Sequence, residues 1–109
     1  MKVKVMQVGP IGTNCYILED DETGKAAVID PGDEAGRILK VLEEDKVEVE
    51  HILLTHGHYD HTTGVPELHR ALPQAVANSF SDWSVCISSD FVLDVLIHLT
   101  IYCTVAFNI

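Results

Sequence analysis

The chain has 109 residues, of which 17 are acidic and seven are lysine or arginine, so its net charge is −10 at pH 7. That length suffices for one domain with a modest core. An acidic chain without a basic patch argues against binding to the phosphates of nucleic acids. The three cysteines are widely spaced, which argues against a disulfide framework. We therefore predict a protein of the reducing cytoplasm.

The first thirty residues predict three β-strands. Residues 2–8 alternate polar and apolar side chains, as an edge strand does, and they lack the continuous apolar stretch of a signal peptide. Residues 14–19 and 26–30 predict the second and third strands. The segment 21–25 between them is rich in residues that favour turns.

Two helices and a fourth strand are predicted next. Asp33 is expected to cap a helix over 34–45, in which apolar residues recur at helical spacing. A strand over 49–54 and a second helix over 64–72 follow, and Pro73 ends that helix. The β-β-β-α-β-α series predicts an α/β or α+β fold with a mixed sheet and two helices.

The segment after the fourth strand has the side chains of a metal site. It holds His56, His58, Asp60 and His61 within six residues. Neutral imidazole and carboxylate ligands suit zinc, and also iron or manganese. The first two histidines can face one ion, and Asp60 with His61 can face a second. The alternative is a polar loop with surface histidines.

This H-x-H-x-D-H pattern resembles that of the metallo-β-lactamase superfamily. The resemblance extends over about residues 1–75, through the hairpin-like segment 9–18, the strand and turn 28–32, and the helix entry 62–68. These segments look like the glyoxalase II-like (hydroxyacylglutathione hydrolase-like) branch. The resemblance implies that the chain forms the N-terminal half of a four-layer αββα sandwich.

The resemblance also implies roles for individual residues. His56 and His58 would bind the first of two zinc ions, whereas Asp60 and His61 would bind the second. Asp60 would also be catalytic, because it helps to orient the attacking water. Asp30 would support the ligands from an outer shell, although an aspartate before Pro-Gly is also ordinary turn chemistry.

The function implied is metal-dependent hydrolysis of a small-molecule substrate, an acylglutathione-like thioester, by a metal-bound hydroxide. The family completes its site with a later aspartate and two later histidines. His69 is expected to be a solvated helical residue, and the surroundings of His98 do not resemble a family motif. The alternative function is therefore a truncated, catalytically incompetent fragment that binds metal.

The character of the sequence changes near residue 77. All lysines and arginines precede residue 71. We predict a partial metallo-β-lactamase-like domain over 1–76 and a divergent apolar tail over 77–109. The apolar run 91–107 is only just long enough to span a membrane, and it contains Asp94 and His98. A buried or ill-packed tail is therefore favoured over a membrane span, and oligomerisation through an exposed tail is an alternative.

Overall fold

The computed structural model of the protein describes residues 1–55 and 62–79, with the side chains of residues 78 and 79 excepted. These residues form five strands and two helices. The strands are β1 (Lys2–Val8), β2 (Thr13–Glu19), β3 (Lys25–Ile29), β4 (Glu48–Leu54) and β5 (Val76–Ser79). The helices are α1 (Ala35–Asp45) and α2 (Val65–Ala71).

The strands form a single mixed sheet in the order β1-β2-β3-β4-β5. The pairs β1-β2 and β2-β3 are antiparallel, as the short turns between these strands permit. The pairs β3-β4 and β4-β5 are parallel, because α1 and α2 carry the chain back between them. The predicted α/β class with a mixed sheet is therefore confirmed, and within residues 1–55 and 62–79 β1 lies at an edge of the sheet, as predicted.

One face of the sheet packs against both helices. From the helices, Ala35, Ile38, Leu42 and Leu68 enter this core. They meet residues on one face of the sheet: Met6, Val8, Cys15, Ile17, Ala26, Val28, Val49 and Ile52. The apolar stripe of α1 that the sequence predicted therefore faces this core. Cys15 is a small residue of this core, with 0% of it exposed.

Five residues on the opposite face of the middle strands β2, β3 and β4 are also buried and apolar. They are Tyr16, Leu18, Ala27, Ile29 and Leu53. Strands that are apolar on both sides are typical of a sheet that is covered on both faces. This pattern agrees with a layered sandwich, of which β1–β5 and the two helices supply one α-layer and one β-layer.

Two details differ from the sequence predictions. Asp33 is not the N-cap of α1: the cap is Glu34, with a left-handed φ of 54° and no side-chain capping bond. The Asp33 carboxylate instead accepts a hydrogen bond from the Glu34 N–H at 2.7 Å. Strand β5 was not predicted, because four residues after a helix give little periodicity to detect.

Strand β5 ends at Ser79, and so extends beyond residue 76, where we placed the end of the domain. The division of the chain at that point stays a prediction. Within residues 1–55 and 62–79, neither helix has the length and apolar character needed to cross a membrane. The apolar run 91–107 lies outside the described residues.

Candidate functional site

The candidate site lies where the parallel strands β3 and β4 end side by side. Asp30 follows β3 directly, and Thr55 follows β4. The Asp30 N–H donates to the carbonyl oxygen of Leu53 at 2.9 Å, which holds the two strand ends together. The carboxyl ends of parallel strands are the usual position of a binding site in α/β folds.

Asp30 is the polar centre of this region. Its side chain is buried, with 2% exposed, and its φ of 54° is left-handed, a conformation that aspartate tolerates better than most residues. Its Oδ1 accepts a hydrogen bond from the Thr55 N–H at 2.8 Å, and its Oδ2 accepts one from the Thr55 hydroxyl at 2.5 Å. Both bonds are charge-assisted, and so they are stronger than bonds between neutral groups. The carboxylate thus fixes the residue that immediately precedes His56.

The same turn also holds the chain where it enters α2. The Gly64 N–H donates to the carbonyl oxygen of Pro31 at 2.9 Å. A Cβ on Gly64 would lie 2.5 Å from that oxygen and 3.2 Å from the Asp33 nitrogen. Gly64 has an ordinary φ of −80°, so this position requires glycine for space and not for its backbone conformation.

A mostly apolar cleft of about 360 Å³ opens beside this turn. Its lining comes from the β1–β2 turn, the turn after β3 and the start of the α2 region: Val8, Gly9, Pro10, Ile11, Thr13, Gly32, Asp33 and Thr63. The Gly9 N–H donates to Glu34 Oε2 at 2.8 Å, and Arg37 Nη1 donates to the Gln7 carbonyl at 2.7 Å. The β1–β2 turn is therefore fastened to the start of α1, which fixes one wall of the cleft.

The predicted site residues divide into two groups. Asp30 contacts Thr55, the residue before the 56–61 segment, and its supporting role stays a prediction. His56, His58, Asp60 and His61, the four predicted metal ligands, lie outside the described residues, as does His98. Residues 1–55 and 62–79 contain no cluster of three or more potential metal ligands.

His69 has the environment that the sequence predicted for it. It is exposed on α2, and its Nε2 donates to the Ala75 carbonyl oxygen at 3.0 Å. This bond connects the helix to the loop before β5, which is a structural role.

Thr55, Pro31 and Gly64 were not predicted from the sequence as residues of the site. The position of Thr55, directly between a strand and the histidine cluster, was a weak indication of a role in the site. Nothing local could identify Gly64, because the need for glycine arises from the Pro31 carbonyl, which is more than thirty positions away in the sequence.

Comparison with known sequences identifies the family. The sequence model of the metallo-beta-lactamase superfamily matches residues 8–79, which include both strand ends, the turn after β3 and the 56–61 segment. The chain belongs to this superfamily.

Several curated relatives are similar to this chain over its N-terminal part. Hydroxyacylglutathione hydrolase GloC of Haemophilus influenzae is 40% identical over 68 residues, which are 62% of this chain and 32% of that protein. A hydroxyacylglutathione hydrolase of Cereibacter sphaeroides is 40% identical over 83 residues, covering 75% of this chain and 32% of its own. An uncharacterized protein of Aquifex aeolicus is 46% identical over 68 residues. The matched part of the chain thus spans about a third of the length of these relatives.

Solved structures share the fold. The B3 metallo-beta-lactamase BLEG-1 matches with a TM-score of 0.66 and 30% identity, over 76% of this chain and 39% of its own. TTHA1623, solved in a di-iron-bound form, matches with a TM-score of 0.60 and 36% identity, over 68% of this chain and 36% of its own. The agreement confirms that the sheet and its helices have the metallo-β-lactamase architecture.

Proposed function

We propose that this chain carries the first part of the metal site of a thioester hydrolase whose substrate is an acylglutathione or a similar small thioester. The observation that supports this proposal most directly is the junction of β3 and β4. There Asp30 holds Thr55 at 2.8 Å, immediately before the sequence His56-Gly-His58-Tyr-Asp60-His61. Ligands delivered from a rigid strand end are pre-organised for metal binding.

The donor set fits a pair of divalent ions. Three imidazoles and one carboxylate are ligands suited to zinc, and also to iron or manganese. His56 and His58 would hold one ion, and Asp60 and His61 the other. When bound, such ions lower the pKa of a coordinated water and polarise a carbonyl group. The TTHA1623 neighbour was solved with two irons, so we propose zinc or iron as the cofactor.

The residues of this chain would position the metal ligands and the attacking water. Asp60 would orient the attacking water as well as serve as a ligand. Water adds to the acyl carbon, and the C–S bond breaks to give a carboxylic acid and a thiol. Asp30 contacts Thr55 and would therefore keep the ligand segment in register with the end of β4.

The choice of a thioester rests on the relatives. Two of them are named as hydroxyacylglutathione hydrolases and are 40% identical to this chain. The apolar cleft beside Thr63, two residues after His61, is large enough to accept part of a small ligand. The high acidity of the chain, with a net charge of −10, supports the proposal that nucleic acids are not its partners.

The experiment is a thioester hydrolysis assay on zinc-loaded and iron-loaded protein, with thiol release as the readout. His58→Ala is the test variant. His69→Ala is the matched control, because His69 is an exposed histidine that bonds to the Ala75 carbonyl. We expect activity in the wild type and in the control, and its loss in His58→Ala. Activity that survives unchanged in His58→Ala would refute the proposal.

The alternative function, a catalytically incompetent fragment that binds metal, makes a different prediction. Such a fragment would bind zinc through His56, His58, Asp60 and His61 but would release no thiol from any thioester. Measuring metal binding and hydrolysis on the same preparation therefore separates the two. The cytoplasmic location and any oligomerisation through residues 77–109 also stay predictions.

A further inference from the structure

We infer that Pro31 and Gly64 are positioning residues, and that the turn Asp30–Gly32 holds both ends of the segment that carries the proposed metal ligands. The Asp30 carboxylate binds Thr55 on the N-terminal side of that segment. The Pro31 carbonyl accepts from the Gly64 N–H on its C-terminal side. The role of Pro31 and Gly64 in metal binding rests on the proposed function, whereas the two contacts are independent of it.

The turn is itself firmly held. The Asp30 N–H donates to Leu53 in β4 at 2.9 Å, and the Gly32 N–H donates to the Asp30 carbonyl at 2.8 Å. Asp30, Pro31 and Gly32 are all buried. This three-residue turn is buried and is hydrogen-bonded to β4, so it can act as a rigid support. Residues 55 and 64 both bond to the turn, which therefore fixes their relative position.

The absence of a side chain at position 64 makes this arrangement possible. A Cβ there would lie 2.5 Å from the Pro31 oxygen and 3.3 Å from the Pro31 carbonyl carbon. Both are backbone atoms of the buried turn, so they cannot move aside as the end of a flexible side chain would. Gly64→Ala must therefore displace either the turn or the start of α2, and overpacking of this kind is destabilising.

The chain offers a matched control. Gly36 lies in α1 and is exposed, and a Cβ at that position would meet no atom within 4 Å. Gly36→Ala therefore adds the same methyl group to a helix without a clash. It is expected to leave the turn unchanged, because alanine is favoured over glycine within a helix.

The test is amide hydrogen exchange measured by NMR on the full chain without metal. We expect Gly64→Ala to accelerate exchange of the amides at residues 55 and 64 by roughly tenfold. The amides of Ile17 and Val28 in the middle of the sheet should keep their protection, and Gly36→Ala should change none of these four. Equal exchange at residues 55 and 64 in both variants would overturn the inference.

A second pair of variants keeps the test decisive if Gly64→Ala does not fold. Thr55→Val removes the hydroxyl that bonds to Asp30, whereas Thr55→Ser retains it. Because the two ends share one turn, Thr55→Val should accelerate exchange at Gly64, and Thr55→Ser should not. An effect confined to residue 55 would show that the two ends are not coupled, which contradicts the inference.

A cobalt titration on the same variants connects the turn to the metal ligands. Co²⁺ binding is measured from the absorption bands of the ion. We expect Gly64→Ala to weaken this binding by roughly tenfold relative to Gly36→Ala. Failure of the wild type to bind Co²⁺ would refute the proposed metal site and the role of Pro31 and Gly64 in positioning it. The exchange experiment would still decide whether the turn holds both ends.

Discussion

Lys4 Nζ lies 2.5 Å from Asp45 Oδ2, so the edge strand β1 is joined to the last residue of α1. The carboxyl group of Glu19 is buried beside this pair, on the neighbouring strand β2, with 5% of the residue exposed. Burial, and then a hydrogen bond with Asp45 and its charge, raise the pKa of Glu19 to about 7. The hydrogen bond with Glu19, and then that with Lys4, lower the pKa of Asp45. Below a pH of about 7, the carboxyl group of Glu19 is therefore protonated and can donate a hydrogen bond to Asp45.

This cluster predicts how stability depends on pH. The pKa of Glu19 is about 7 in the folded chain, above its ordinary value of 4.5. The folded state therefore binds more protons than the unfolded state between these values, and its stability falls as the pH rises. The stabilisation that Glu19 contributes is complete below its ordinary pKa of 4.5 and is lost above its folded-state pKa of about 7. The lowered pKa of Asp45 changes stability only at pH values below its ordinary pKa of 3.8, which is outside this range.

The variant that checks this is Glu19→Gln, which stays neutral and can still donate to Asp45. Between about pH 5 and about pH 8, the midpoint of urea unfolding of the wild type should fall relative to that of the variant as the pH rises, because only the wild type has the Glu19 carboxyl group. The exposed Glu22, changed to Gln, is the control and should follow the wild type. A variant with the same pH dependence as the wild type would show that Glu19 is not the group responsible.

Asp30→Asn tests the polar centre of the site. The amide has only one acceptor atom, so it cannot replace both oxygens that accept from the N–H and the hydroxyl of Thr55. We expect a loss of about 1–3 kcal/mol in the free energy of unfolding without metal. Asp21→Asn, at an exposed position with a surface ion pair to the N-terminus, should change it by less than about 1 kcal/mol. Equal effects would contradict the role given to Asp30.

Cys15 should be unreactive in the folded protein. Burial, and to a lesser extent the charge of Asp30, raise the pKa of its thiol to about 12, so that the thiolate is scarce at neutral pH. In a variant that carries Cys86→Ser and Cys103→Ser, labelling by a disulfide reagent should require unfolding and should accelerate with urea. Labelling in native buffer at the rate of a free thiol would contradict the buried position.

The core on the helix side of the sheet should be sensitive to cavities. Ile38 on α1 is fully buried within it, and Ile38→Ala should reduce the free energy of unfolding by about 2–5 kcal/mol. Ile11 is 73% exposed, and Ile11→Ala should change it by about 0.5 kcal/mol or less. Chemical unfolding followed by circular dichroism measures both. A small effect at Ile38 would mean that α1 is not packed on the sheet as described.

The sequence predicted most of the fold because periodicity and turn chemistry are local. Residues 2–8 alternate and form β1, and the spacing of Ile38 and Leu42 marks the buried side of α1. The family motif identified the superfamily in the same way. The family resemblance implied a supporting role for Asp30, but the partners in the site were not predictable, because the contact of Gly64 with Pro31 and that of Thr55 with Asp30 join residues that are distant in the chain. The raised pKa of Glu19 was not predictable for the same reason, because Glu19 is buried beside Asp45 only when β2 meets the end of α1.

The most direct test of the central claim is the metal content of the purified chain, determined by elemental analysis. The samples are the wild type, His58→Ala and the control His69→Ala, each exposed to zinc or iron and then freed of unbound metal. We predict stoichiometric metal in the wild type and in His69→Ala, and a large loss in His58→Ala. Metal that is substoichiometric in all three, or unchanged in His58→Ala, would contradict the claim that residues 56–61 form a metal site.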